Sequence, residues 1–137
     1  LMYLFLIICH HLMMKNIFAL LCLVLLVQSC GGFDDSGLQR VKGGSFNECN
    51  TINIETLADN YFSSPSWLAI KAADGTRYIN LSGGMTFNDN PVDGLVQFSY
   101  PKEDYDSFEI VAFEMNDIPQ NDFMISGLVT SMCDESQ

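Results

Sequence analysis

An uninterrupted apolar run of eleven residues, Ile17–Val27, constrains this chain more than any other feature of its sequence. Lys15 places a positive charge just before the run, and Ser29 and Cys30 follow shortly after it. A charged start, an apolar core of about 7–15 residues and small residues at the cut are the parts of a secretion signal. The run is shorter than the roughly 20 residues that a membrane-spanning helix needs. The sequence therefore predicts that residues 1–29 are a signal peptide outside the fold.

The end of this signal, Val27-Gln28-Ser29-Cys30, resembles the lipobox of bacterial lipoproteins, with Gln28 as its loosest match. The resemblance covers Met14–Cys30, and it implies that the Cys30 thiol is diacylated and that the signal is cleaved before it. Two or three acyl chains such as palmitate anchor a protein stably, whereas one chain binds marginally. The alternatives are an ordinary signal peptide and a buried apolar helix with a chance cysteine. The resemblance implies a lipid anchor in the outer membrane.

The chain is expected to divide into three parts. Residues 1–29 form the signal peptide, whose first twelve residues are attributed to an over-extended start, with initiation at Met13 or Met14. Residues 30–45 contain five glycines and little apolar content, which predicts a lipidated tether with a short strand near Val41. Asp34-Asp35 in this tether is similar to the acidic export tag of surface-exposed lipoproteins, or is a solvated linker. Residues 46–137 are expected to form the folded domain.

Only two cysteines remain available to the folded domain. Cys9 and Cys22 lie in the predicted signal, and Cys30 is the predicted lipidation site. An oxidising compartment favours a disulfide between the remaining pair, Cys49 and Cys133. The alternative is two free buried thiols.

Short apolar runs separated by turn residues predict about six strands and no convincing amphipathic helix. Asp74-Gly75 between two alternating runs is a strong hairpin signal, because glycine accepts positive φ freely. In that hairpin the expected core face consists of Leu68, Ile70, Ile79 and Leu81. Further predicted strands are 51–56, 95–100, 108–115 and 123–133, the last with Gly127 as a bulge.

This pattern predicts an all-β fold, either a small antiparallel barrel or a sandwich. Over residues 40–133 it resembles the OB-like five-stranded barrels of small bacterial lipoproteins. Barrels of this kind have many roles, so the resemblance implies no functional residues.

The residue types present argue against several chemistries. Both histidines, His10 and His11, lie in the predicted signal, which removes histidine-based nucleophile and zinc sites from the folded domain. The sequence contains no glycine-rich phosphate-binding loop. We therefore expect a non-enzymatic protein without a cofactor or a catalytic metal.

One segment, residues 88–94, has some features of a calcium loop. Asn88, Asn90 and Asp93 offer oxygen ligands before Gly94, as calcium prefers. Pro91 and the lack of a following glutamate favour an Asx-rich turn instead. The sequence leaves open whether calcium binds there.

Several aromatic residues lie near predicted strand ends and are candidates for stacking on sugars, namely Tyr61, Phe62, Trp67 and Tyr105. A core position is the favoured interpretation for Trp67.

Charge narrows the range of partners. After residue 29 the chain has seventeen acidic and five basic residues, a net charge of −12. Such a surface repels nucleic acid, so a protein or glycan partner in the envelope is expected. The predicted contributors are Glu103-Asp104-Asp106 and Asp89-Asp93, on predicted turns. The expected function is a lipid-anchored binding or scaffold module of an outer-membrane assembly. The alternative is an inhibitor or immunity-type lipoprotein that blocks a basic enzyme.

Overall fold

A computed structural model describes residues 35–101 and 107–137 of the chain, which lie in one compact unit, Asp34–Gln137. The predicted signal peptide and Cys30 lie outside the described residues. In chain order the elements are helix α1 (Asp35–Gly43), a 3₁₀ turn (Asn47–Cys49), helix α2 (Ile54–Tyr61), strands β1 (Ser63–Lys71), β2 (Arg77–Phe87), β3 (Asn90–Ser99), β4 (Glu109–Met115) and β5 (Ile118–Pro119), and helix α3 (Asp122–Asp134).

The five strands form one antiparallel sheet in which each strand pairs with the next along the chain. This confirms the prediction of an antiparallel β domain. The edge strands β1 and β5 do not pair with each other, so the sheet stays open and the predicted barrel is wrong. Helices supply the second layer that a sandwich would have taken from another sheet.

The hydrophobic core lies between one face of the sheet and the helices. On the sheet side, Ile79, Leu81, Val96 and Phe98 are at most 1% exposed. On the helix side the buried residues are Val41, Ile54, Leu57, Ala58, Leu128, Val129 and Met132. Helix α1 therefore belongs to the fold, although it lies in the segment expected to be a tether and replaces the strand expected near Val41.

The first hairpin shows how one residue of register decides which side chains are buried. A two-residue Asp74-Gly75 turn would place Leu68 and Ile70 on the same face as Ile79. Instead the loop closes between Ala72 and Thr76, whose backbone N–H and C=O groups bond at 2.8 Å. The pairing then sets Trp67 opposite Leu81 and Ala69 opposite Ile79. Leu68 lies on the outer face and is 60% exposed, so its predicted core position is wrong.

Helices α2 and α3 replace two predicted strands, 51–56 and 123–133. Each begins at an asparagine whose side-chain oxygen accepts a backbone N–H from the first turn: Asn53 from Thr56 at 2.8 Å and Asn121 from Met124 at 3.0 Å. Such caps satisfy donors that have no partner inside the helix. Gly127 consequently lies within a helix and is not a bulge.

The predicted disulfide between Cys49 and Cys133 is present. It joins the 3₁₀ turn near the start of the domain to the last helix, across a separation of 84 residues. Both cysteines are buried, at 7% and 3% exposure. The link holds helix α3 against the part of the chain that precedes the sheet.

Replacing both cysteines, as Cys49→Ala with Cys133→Ala, should lower the free energy of unfolding by about 4–5 kcal/mol, because a closed loop of this length restricts the unfolded chain. Urea denaturation followed by far-UV circular dichroism measures the loss, and the reduced wild-type protein is the control. Stoichiometric alkylation of both thiols in the unreduced protein would contradict the bond itself.

Candidate functional site

Two similar turns lie side by side at one end of the sheet. Asn88-Asp89 joins β2 to β3, and Asn116-Asp117 joins β4 to β5. All four residues have positive φ, between 49° and 63°. Two consecutive residues of this kind make the type I′ turn that suits the twist of a hairpin, and Asn and Asp tolerate it well. Because alternate hairpins of a meander turn at the same end, both turns project from one end of the sheet.

The side chain of Asn116 ties the second turn to strand β3. Its Oδ1 accepts the backbone N–H of Asp93 at 2.9 Å, and the backbone N–H of Asn116 donates to the Asp93 carbonyl at 2.8 Å. The second turn is thereby fixed to strand β3. The end of the sheet is held as one surface.

Residues 88–94, the calcium-loop candidate, do not form a loop. Asn88-Asp89 is the two-residue turn, and Asn90–Gly94 continues directly as strand β3. Within residues 35–101 and 107–137, no group of three or more His, Cys, Asp or Glu residues is placed to hold a metal. Asp93 is exposed, but it lies in the strand and not on the predicted turn.

We call this end of the sheet the acidic end, because it gathers five carboxylates: Asp89, Asp93, Glu114, Asp117 and Asp122. The four basic residues in the described part of the chain lie elsewhere. Arg40 and Lys42 belong to helix α1, and Lys71 and Arg77 flank the hairpin at the opposite end. Lys42 forms an ion pair with Glu55 at 2.6 Å, away from the acidic end. Asp74 and Glu109 also lie at that opposite end, so what distinguishes the acidic end is that none of the four described basic residues lies there.

Two large apolar side chains near the acidic end are also exposed to solvent. Ile118, directly after the second turn, is 64% exposed, and Phe123, at the start of helix α3, is 82% exposed. Apolar groups close to charges are typical of surfaces that bind another protein.

A first cavity, of about 500 Å³, opens beside the turns. Its lining mixes apolar groups with hydroxyl, amide and carboxylate groups, and we call it the polar cavity. The lining residues are Tyr61, Ser63, Gly84, Met85, Thr86, Pro91, Val92, Asp93 and Asn116.

A second cavity, of about 210 Å³, lies between helix α3 and the sheet, and we call it the apolar cavity. Tyr61 and Met85 line both cavities, so the two are neighbours. Strands β2 and β4 line one side with Met85, Phe87, Phe113 and Met115, and helix α3 lines the other with Met124, Gly127, Leu128 and Ser131. The four helix positions follow the three- and four-residue spacing of one helix face.

Tyr61, between the two cavities, keeps its proton at neutral pH. Burial raises the pKa of its phenol above the ordinary value, and the negative charge of Glu135 adds to the rise, while the Ser131 hydroxyl opposes it. The phenol therefore serves as a neutral hydrogen-bonding group next to an apolar space.

The other predicted site residues either lie away from the acidic end or fall outside the described residues. Trp67 is half-buried and stacks on Phe98 with ring centroids 6.3 Å apart, and the Lys42 ammonium lies 5.7 Å from its ring. This position agrees with the favoured core interpretation. Phe62 is buried in the core. Tyr105 and the cluster Glu103-Asp104-Asp106 lie outside the described residues, as does Cys30.

The cavities themselves were missed by sequence reasoning. Met85, Met115 and Met124 come from three distant segments, and residue spacing gives no sign that they meet. Among the residues of the cavities and the acidic end, the sequence indicated Tyr61 as a sugar-stacking candidate. It also indicated the acidic pair Asp89-Asp93 as a contact for a basic partner.

Comparison with protein-family models, curated proteins and solved structures finds no match. No helix of the described residues is long and apolar enough to cross a membrane.

Asn116→Ala should destabilise the domain more than Asn88→Ala does, by about 1 kcal/mol. Both changes put alanine at nearly the same positive φ, so they share that backbone cost, but only Asn116 also bonds to the Asp93 backbone. Urea denaturation of the two variants measures the difference. Equal losses would show that the bond between Asn116 and the Asp93 backbone contributes nothing.

Proposed function

We propose that this protein is exported, anchored by acyl chains on Cys30 to the outer membrane, and acts as a non-enzymatic binding module whose acidic end holds a protein partner. The Ile17–Val27 run and the cysteine that follows it support export and anchoring. The Cys49–Cys133 disulfide supports export independently, because such bonds persist in oxidising compartments and are rare in the cytosol.

One observation carries the binding role. Exposed apolar side chains, two cavities and five carboxylates without a neighbouring basic residue coincide at the acidic end of the described domain. Ile118 and Phe123 would be the apolar contacts, and the carboxylates around them would select a cationic surface. Charges of this kind act mainly on the association rate and on the choice of partner.

The same charge favours a second candidate function. A rigid acidic surface suits an inhibitor or immunity-type lipoprotein that covers a basic enzyme. The two functions differ in the partner: a scaffold leaves its partner active, and an inhibitor abolishes catalysis. Activity of the isolated partner, measured with and without this protein, separates them.

Cys30→Ala should release the protein from the membrane and abolish its labelling by radioactive palmitate, because the thiol is the proposed acylation site. Cys22→Ala is the matched control, since that cysteine lies inside the apolar run and should have no effect on anchoring. Palmitate label that persists in the Cys30 variant would refute the anchor.

Neutralising three carboxylates of the acidic end, as Asp89→Asn, Asp93→Asn and Asp117→Asn together, should slow association with a cationic partner several-fold and weaken its salt dependence. Electrostatic steering raises the rate at low salt and is screened as the Debye length falls to roughly 8 Å near 0.15 M. Asparagine also tolerates the positive φ of the two turn positions, so the fold should persist.

The control changes three exposed acids outside the acidic end, Glu48→Gln, Asp59→Asn and Asp134→Asn, and so alters the net charge equally. The measurement is surface plasmon resonance across a salt series, with the partner recovered from an envelope extract. An association rate that does not change with salt concentration would contradict a binding role for the acidic end. Equal slowing of association in both triple variants would contradict it as well.

A further inference from the structure

The apolar cavity has the size of a single small ligand group. At about 210 Å³ it is larger than the roughly 150 Å³ engineered cavity that binds benzene, and smaller than the 300–1,000 Å³ of drug-sized sites. One aromatic ring or two fused rings would fill it. An extended lipid chain would not fit.

The chemistry of its walls favours an aromatic group over an aliphatic one. Three of the nine lining residues are methionines and two are phenylalanines. Thioether sulfur makes favourable contacts with aromatic rings, and phenylalanine rings pack edge to face with another ring. Flexible methionine side chains also adapt to the outline of a ligand.

The polar groups at the edge of the cavity determine which substituent a bound ring can have. None of the nine lining residues is charged, so the lining offers an ionised group no partner for its lost hydration, and the charge of Glu135 near Tyr61 would repel an anion. The hydroxyls of Tyr61 and Ser131 can form hydrogen bonds with one hydroxyl or N–H on the ligand. The site therefore suits a neutral ring with a single polar substituent, such as a phenol or an indole.

We propose that the apolar cavity binds a compact aromatic ring of this kind, either as a free small molecule or as a tyrosine or tryptophan side chain of a bound partner. The inference rests on the proposed binding role of the acidic end, and it names what that end takes up. If the ring belongs to a partner, the neighbouring polar cavity lies where the flanking residues would go, with Asp93 facing a cationic one.

Methionine-methyl NMR tests the proposal directly. The disulfide-bonded protein is labelled with [methyl-¹³C]methionine and titrated with phenol, with indole and with cyclohexanol, which has the size and hydroxyl of phenol without its aromaticity. Phenol and indole should shift the signals of Met85, Met115 and Met124 saturably, with dissociation constants on the order of 0.1–1 mM. Met132, buried in the core and outside the cavity lining, should not shift.

Cyclohexanol should bind at least threefold more weakly than phenol. Absence of saturable shifts, equal shifts of Met132, or cyclohexanol binding as well as phenol would each overturn the proposal.

A substitution that fills the apolar cavity tests the same proposal by mutation. A Cβ added at Gly127 meets no atom within 4 Å, and leucine suits a helix better than glycine, so Gly127→Leu should fold and should weaken phenol binding at least tenfold. Gly43→Leu is the control, because Gly43 also lies in a helix with open space for a Cβ, and its helix contributes no residue to the cavity lining. Unchanged binding in a folded Gly127 variant would overturn the proposal.

Tyr61→Phe gives a second measure should the Gly127 variant fail to fold. It should weaken phenol binding several-fold and leave the binding of toluene, which has no hydroxyl, unchanged. Equal effects on both ligands would argue against the polar edge of the site.

A blocked Lys-Trp-Lys peptide identifies the source of the ring. Tighter binding than indole assigns the ring to a protein partner, and binding of free indole alone assigns it to a small molecule. The titrations need neither membrane nor partner. Their failure would therefore leave the anchoring and association tests untouched, and failure of those tests would leave the titrations interpretable.

Discussion

The disulfide between Cys49 and Cys133 is the constraint on which the functional end of this domain depends. Strands β1–β4 pair through long ladders, with one irregularity in each of the β1–β2 and β3–β4 pairs, but helix α3 follows a strand of only two residues. Its remaining attachments are an apolar face, chiefly Leu128, Val129 and Met132, packed over β4, α2 and the 3₁₀ turn. A covalent bond near its end converts this modest packing into a fixed position. The apolar cavity exists because the helix is held there, with Gly127 leaving space above the sheet.

The acidic end follows from the topology as much as from the composition. A meander brings alternate turns to the same end, so the two Asn-Asp turns add their carboxylates to one surface. Asp89 and Asp117 occupy positive-φ positions where most residue types would be strained, and therefore the same residues that allow tight hairpins also supply charge. Local backbone chemistry and the electrostatics of the binding surface thus have a common origin. A two-residue turn also leaves the backbone little freedom to move, so the carboxylates of these turns are held in fixed positions.

Local signals in the sequence were sufficient for the position of the first hairpin and for the pairing of cysteines, but not for the register of that hairpin or for the helices. Ile52 and Ile54 alternate like a strand, yet Asn53 caps a helix whose buried Leu57 and Ala58 follow at helical spacing. Residues 123–133 were predicted to be a strand with Gly127 as a bulge, whereas the capping Asn121 and the buried pair Leu128 and Val129 fit a helix. Short segments fit both periods, and tertiary packing decides between them.

The open sheet and the cavities could not have been predicted from spacing, because both depend on contacts between distant segments. Whether β1 reaches β5 is a property of the whole sheet, and the helices that cover it were themselves not predicted. The register of the first hairpin was also not predictable from spacing. A shift of one residue placed Trp67 instead of Leu68 on the inner face. Acidity was visible in the composition, but the meeting of five carboxylates at an end of the described sheet without a basic residue was not.

Native-state hydrogen exchange, with the disulfide intact and after mild reduction, tests the central claim most directly. If the bond holds helix α3 in place, reduction should speed exchange of the Leu128–Met132 amides at least tenfold more than that of the Ile79 and Phe98 amides in the sheet, because the helix then opens separately. An equal acceleration throughout the domain would show that the bond stabilises the fold as a whole. No acceleration in the helix would show that packing alone fixes it and would contradict this account.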